Sequence, residues 1–104
     1  MAKTALLAKL TAKEGQRDAL LAVIADLGMQ NVSGEPGTEV YAAHKDTSDE
    51  NVVWFYEMYT DGDALAAHGG SDGMKAFGRA TGELMAGRAE LFFLEPVCAK
   101  GLDL

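Results

Sequence analysis

The 104-residue chain predicts a single α+β domain, a ferredoxin-like β-α-β-β-α-β sheet with its helices on one face. Three observations lead there. Apolar residues recur with strand, helix, strand, strand, helix and strand periods in that order. Gly/Pro-rich or polar breaks separate these segments. The strands are also apolar on both faces, although helices on one side can cover only one of them.

Thr4 to Thr11 is apolar and free of breakers, and reads as the first strand. Gly15 and the polar Gln16-Arg17-Asp18 open a helix. Its Leu20, Val23, Ile24 and Leu27 fall at i, i+3, i+4 and i+7 on one stripe. This helix is expected to fade between Gly28 and Ser33, before the turn signal Gly34-Glu35-Pro36-Gly37. Thr38 to His44 forms the second strand, with Val40, Ala42 and His44 on one face. A short polar hairpin, Lys45 to Asn51, leads into Val52 to Tyr59, the segment richest in aromatic and β-branched residues. Asp61 is placed to cap a short helix that carries Leu65 and His68 and stops at Gly69-Gly70. Ser71 is placed to cap the next, whose stripe is Met74, Phe77, Thr81, Leu84 and Met85. Gly73, Gly78 and Gly82 weaken that helix by about 1 kcal/mol each relative to alanine. They serve either close packing on the sheet or room for a ligand. Ala89 to Pro96 completes the sheet, so the core spans about residues 4–97 and a tail follows over 98–104.

Composition narrows the functional classes. A formal net charge of −7 argues against nucleic acid, which needs clustered Lys and Arg. No apolar run reaches the roughly 18–20 residues of a membrane span. The charged start, Met1 to Leu10, reads as a strand and not as a leader. Cys98 is the only cysteine, which excludes an internal disulfide and points to a reducing, cytoplasmic setting; it is expected as a small packing residue.

The two-sided strands predict a homodimer. Trp54, Tyr56 and Met58 oppose Phe55, Glu57 and Tyr59 on the third strand, and Leu91 and Phe93 oppose Phe92 and Leu94 on the last. Four strands about 4.8 Å apart and about 17 Å long present roughly 300 Å² of sheet. A monomer rarely leaves so much aromatic surface wet, and a tail of a few residues is too short to cover it. Packing two such sheets face to face, with Trp54, Tyr56 and Met58 against the partner copy, resolves the problem.

Several segments together resemble one family. They are Glu35-Pro36-Gly37, Tyr41 and His44, Val53 to Tyr59, Ala64-Leu65-Ala66-Ala67-His68, Met74-Lys75-Ala76-Phe77, and Leu94-Glu95-Pro96-Val97. This ordered set is similar to the antibiotic biosynthesis monooxygenase (ABM) family, in its quinol monooxygenase-like form. The resemblance implies a dimeric α+β barrel and, for many members, cofactor-free oxidation of quinols or polyketide anthrones by molecular oxygen. Other members isomerise small signalling sugars or degrade haem, so the fold alone leaves the reaction open.

Cofactor-free oxygenation needs a base to make an electron-rich anion, polar groups to hold it and apolar walls to exclude water. The family cavity lies between sheet and helices. The resemblance therefore implies His44, His68 and Glu57 as catalytic groups and Phe55, Tyr59, Leu65 and Phe77 as substrate contacts. Each also has a plainer reading. His44 can be a strand-end surface histidine, and His68 a helix C-terminal cation. Glu57 can be half of an ion pair with Arg79 or Arg88, and Phe55 and Tyr59 can be ordinary core. Anthrone-type members carry Asn, Trp and Tyr where this chain has Phe55, Tyr59 and Leu65, which favours a broader quinol-type substrate. Haem-degrading relatives use a histidine after the position of Phe77; here Gly78 to Gly82 holds none. Two histidines far apart do not make a metal cluster, so no cofactor and no metal are expected. The alternatives of a different class are a non-catalytic small-molecule binding or stress-response module, or an isomerase of a small carbonyl compound.

Overall fold

The computed structural model describes residues 2–104. The elements follow the expected order: β1 Thr4–Thr11, α1 Arg17–Val23, a π-helical turn Ile24–Gly28, α2 Met29–Ser33, β2 Thr38–Lys45, β3 Val52–Tyr59, α3 Gly62–Gly69, α4 Asp72–Thr81 and β4 Glu90–Leu94. The strands form one antiparallel sheet in the order β2-β3-β1-β4.

One expectation about element length is met and one is corrected. The first helix ends at Ser33, at the far limit of the expected Gly28 to Ser33 range. Val23, Ile24, Gly28 and Met29 all keep right-handed helical dihedrals, so helical backbone runs on to Ser33. Packing holds it there. A side-chain carbon at Gly28 would stand in van der Waals contact with the Phe77 ring, at 3.4 Å, so the helix packs closely on Phe77 there. The last strand is shorter than Ala89 to Pro96 and covers Glu90–Leu94 alone.

Local chemistry explains the turns and helix starts. In the hairpin between β2 and β3, Asp46 Oδ1 accepts from the backbone N–H of Ser48 and Asp49, at 2.8 and 2.9 Å. Its Oδ2 accepts from Trp54 Nε1 at 2.8 Å. These bonds hold the Asp46 carboxyl well below the usual carboxylate range, the Trp54 bond contributing most. Asp61 caps α3 by accepting from the Ala64 N–H, and Ser71 caps α4 by accepting from the Met74 N–H, both as the sequence predicts.

The register assigns the sheet faces. Leu6, Ala8 and Leu10 of β1 lie beside Glu57, Phe55 and Val53 of β3, on the face that the helices cover. There Ala8, Leu10, Leu20, Ile24, Val53, Phe55 and Phe77 form the buried core. On the opposite face β1 Leu7 and Lys9 pair with Tyr56 and Trp54, and Phe92 pairs with Leu7. Trp54 therefore lies away from the helices, as expected, with Lys9 Nζ 5.7 Å from its ring centre.

The sheet is open, and this corrects the barrel. Its outer strands, β2 and β4, are not bonded to each other. Closure into a filled barrel takes about eight tilted strands, twice the number present. Two further readings change. Met58 is only 1% exposed, so it is already shielded within the chain and is not a free face residue. The tail returns toward that end of the sheet, where Lys3 Nζ donates to the Asp103 carbonyl. Cys98 is exposed and packs into no core. Among the described residues no helix is long and apolar enough to cross a membrane.

Candidate functional site

A cavity of about 830 Å³ lies between the sheet and the helices. Its floor is Leu6, Ala8, Leu10, Phe55 and Glu57. Its roof is α4, through Met74, Phe77 and Thr81, and Leu65 and His68 come from α3. Leu91 and Phe93 of the edge strand β4 form one side and remain 51% and 65% exposed, so the cavity opens there. The walls are predominantly apolar, as expected of a site that binds a small organic molecule.

The glycines of α4 divide between the two roles considered for them. A side chain at Gly73 would come within 2.8 Å of Asn31, which donates through Nδ2 to the Gly73 carbonyl. That glycine serves packing. Gly78 and Gly82 line the cavity, and a Cβ at Gly78 would meet nothing within 4 Å. The absent side chain at Gly78 leaves open space, whereas a Cβ at Gly82 would come within 3.2 Å of the Gly78 carbonyl.

One end of the cavity is polar. Glu57 and His68 are 5% and 8% exposed, and their closest approach is 3.9 Å, Glu57 Oε1 to His68 Nε2. That separation is too long for a hydrogen bond but suits two groups flanking one bound atom. The Tyr59 hydroxyl donates to Glu57 Oε1. Behind His68, its Nδ1 lies 2.7 Å from Glu35 Oε1, which also accepts from the Thr38 hydroxyl at 2.7 Å. The rings of Tyr41 and Tyr59 flank the imidazole at centroid distances of 5.7 and 5.4 Å.

Burial sets the protonation of this end. Loss of water raises the Glu57 pKa, against the lowering effects of the Tyr59 hydrogen bond and of His68. The phenols of Tyr41 and Tyr59 are pushed up as well, chiefly by burial. Both therefore stay neutral hydrogen-bonding groups at physiological pH. Glu57 is held toward the carboxylic acid form and can act as a donor to a bound oxygen.

Of the residues implied by sequence, the structure gathers Glu57, His68, Phe55, Leu65 and Phe77 around one volume. Tyr59 is not on the cavity wall. It is 0% exposed and sits behind Glu57, which it holds. His44 is not brought to the cavity either. It pairs with Trp54 on the opposite sheet face and is exposed. An irregularity between Thr38 and Val40 shifts the β2–β3 register by one residue, and such a shift carries every later side chain to the other face. Glu57 forms no ion pair with Arg79 or Arg88; its partners are Tyr59 and His68. Glu35 and Tyr41 were missed as site residues, although both stand in the segments that carry the family resemblance. Among the described residues, no group of three or more His, Cys, Asp or Glu is arranged to hold a metal ion.

The molecule is thus an open α+β sheet with an apolar cavity under its helices that is polar at one end. The chain belongs to the antibiotic biosynthesis monooxygenase family, whose sequence profile matches residues 4–80. A solved Caulobacter crescentus CB15 protein assigned to that family is 32% identical, with 92% of this chain and 91% of that one covered, at TM-score 0.86. Two structures at 24% identity show the same fold. A Chloroflexus aurantiacus J-10-fl protein covers 98% and 100% of the two chains at TM-score 0.82. A Nitrosomonas europaea protein of unknown function covers 99% and 97% at TM-score 0.85. No curated protein matches the chain.

Proposed function

We propose that the protein is a cofactor-independent monooxygenase that oxidises a small aromatic, quinol or polyketide-type substrate with molecular oxygen. The observation that carries this reading is the pairing of His68 and Glu57 at the polar end of an otherwise apolar cavity. His68 Nε2 takes a proton from a phenol or an activated methylene. The resulting carbanion or phenolate passes an electron to oxygen, the two radicals combine at a carbon that still bears hydrogen, and the proton held on His68 Nε2 returns to the peroxide to give a hydroperoxide. Loss of water from that hydroperoxide leaves a carbonyl, so one oxygen atom enters the product and the other leaves as water. Glu57, held toward its acid form, donates to the developing oxyanion, and the apolar walls keep bulk water from the carbanion.

Oxygen uptake by the purified, metal-free protein with an anthrone or hydroquinone tests the reading. Turnover above the buffer rate is expected, with His68→Ala lowering it by about 10²–10⁴-fold. His44→Ala is expected to leave it unchanged, because His44 is on the other face. Ligand-induced thermal stabilisation without oxygen uptake would replace the oxygenase by a binding module. Product formation without oxygen uptake would replace it by an isomerase.

The same reading includes a homodimer through the sheet face that the helices leave bare. Trp54 and Tyr56 there are half-buried, and Phe92 and Leu94 are 46% and 39% exposed. Covering such a surface with a second copy is the usual solution for a contiguous apolar face. Met58, shielded within the chain, contributes little to it.

A further inference from the structure

We infer that Glu35 is the positioning residue of the site: it fixes the tautomer of His68 so that the bare Nε2 faces the cavity. The inference rests on His68 as the base, as proposed above. As a carboxylate Glu35 only accepts hydrogen bonds, and its Oε1 already accepts from the Thr38 hydroxyl. The 2.7 Å contact with His68 Nδ1 therefore requires Nδ1 to carry the proton. The neutral ring then presents Nε2 as an acceptor on the side of Glu57 and the cavity.

The surroundings leave the carboxylate and the ring little freedom. The Glu35 N–H donates to the Val32 carbonyl at 3.0 Å, and its own carbonyl accepts from the Thr38 N–H at 3.1 Å. The helix end that carries His68 is held by Ser71, whose hydroxyl donates to the His68 carbonyl at 2.8 Å. With Tyr41 and Tyr59 on either side, turning the ring over would break the Glu35 bond and replace no contact. When Nε2 takes the substrate proton, the imidazolium is stabilised by Glu35 at the far nitrogen. Glu35 thus acts without touching the substrate, by the same logic that pairs a carboxylate with a catalytic histidine elsewhere.

The test compares wild type with Glu35→Gln and Glu35→Ala, using ¹⁵N chemical shifts of His68 at mildly alkaline pH. Wild type is expected to show protonated Nδ1 and bare Nε2. Glu35→Gln retains a carbonyl acceptor and is expected to keep that tautomer. Glu35→Ala is expected to release it toward the Nε2–H form that a free histidine side chain prefers. In oxygen-uptake assays with an anthrone, Glu35→Ala should lower kcat on the order of 10²-fold with KM nearly unchanged, and Glu35→Gln less. A wild-type His68 protonated at Nε2, or an unaltered tautomer in a folded Glu35→Ala, overturns the inference. Should Glu35→Ala not fold, an unaltered tautomer in a folded Glu35→Leu protein, which likewise offers no acceptor, overturns it equally. The expected tautomers with no oxygen uptake in any protein would leave Glu35 as the orienting group and remove only the oxygenase reading.

Discussion

Glu57 shares its sheet face with Val53, Phe55 and Tyr59 and is the one carboxylate of β3 under the helices. Its pKa is raised in the folded protein, so the fold binds the proton more tightly than the unfolded chain does. The stabilisation is full below the ordinary carboxylate pKa and is lost as pH rises through the raised value. Glu57→Gln keeps an acceptor for Tyr59 and has no charge to bury. Its thermal midpoint is expected to exceed that of wild type at pH 8, and the gap to close near pH 4. A gap independent of pH would show that Glu57 is not desolvated. This residue was legible because a carboxylate on an aromatic strand needs a partner. Glu35 was not, because the bond to His68 joins positions 33 residues apart through tertiary packing. His44 was misplaced for a third reason. Were β2 paired without its irregularity, the Thr38–Tyr59 register would set His44 opposite Val53, under the helices; the one-residue shift sets it opposite Trp54.

Helices α3 and α4 were read from their caps, and those caps can be tested. Asp61→Ala removes an acceptor for the Ala64 N–H and is expected to cost about 1 kcal/mol in chemical denaturation. Gly78 has helical surroundings and empty space beside its α-carbon. Gly78→Ala is therefore expected to stabilise by about 0.5–1 kcal/mol. Gly78→Leu should instead project into the cavity and abolish binding of an anthrone while leaving the thermal midpoint near or above that of wild type. If the leucine variant binds as wild type does, α4 does not roof the site. β3 was legible from composition, since Val52–Tyr59 matches its expected bounds, whereas β4 is shorter than its apolar run. The end of the first helix was legible only to within the span Gly28 to Ser33, because a glycine that keeps right-handed helical dihedrals is not marked as such in the sequence.

For the whole molecule, topology followed from the order of patterns, whereas closure did not. Whether a sheet closes depends on strand number, tilt and shear, none of which a strand's composition records. The second sheet face makes its own prediction. Phe92→Glu places a charge among Leu7 and Tyr56 and is expected to halve the mass seen by light scattering at micromolar concentration. A wild-type mass equal to one chain would remove the dimer. The pairing of β1 with β4 also has a temporal side. Of the four strands of this sheet, the first to emerge in synthesis is an inner one, yet one of its edges waits for the last. Until that long loop closes, Leu91 and Phe93 are absent from the cavity and the β1 edge lies open to any passing strand. Completion of the binding site is thus the slowest-arriving contact of the fold, and a nascent chain stalled before residue 90 would hold a groove but no pocket.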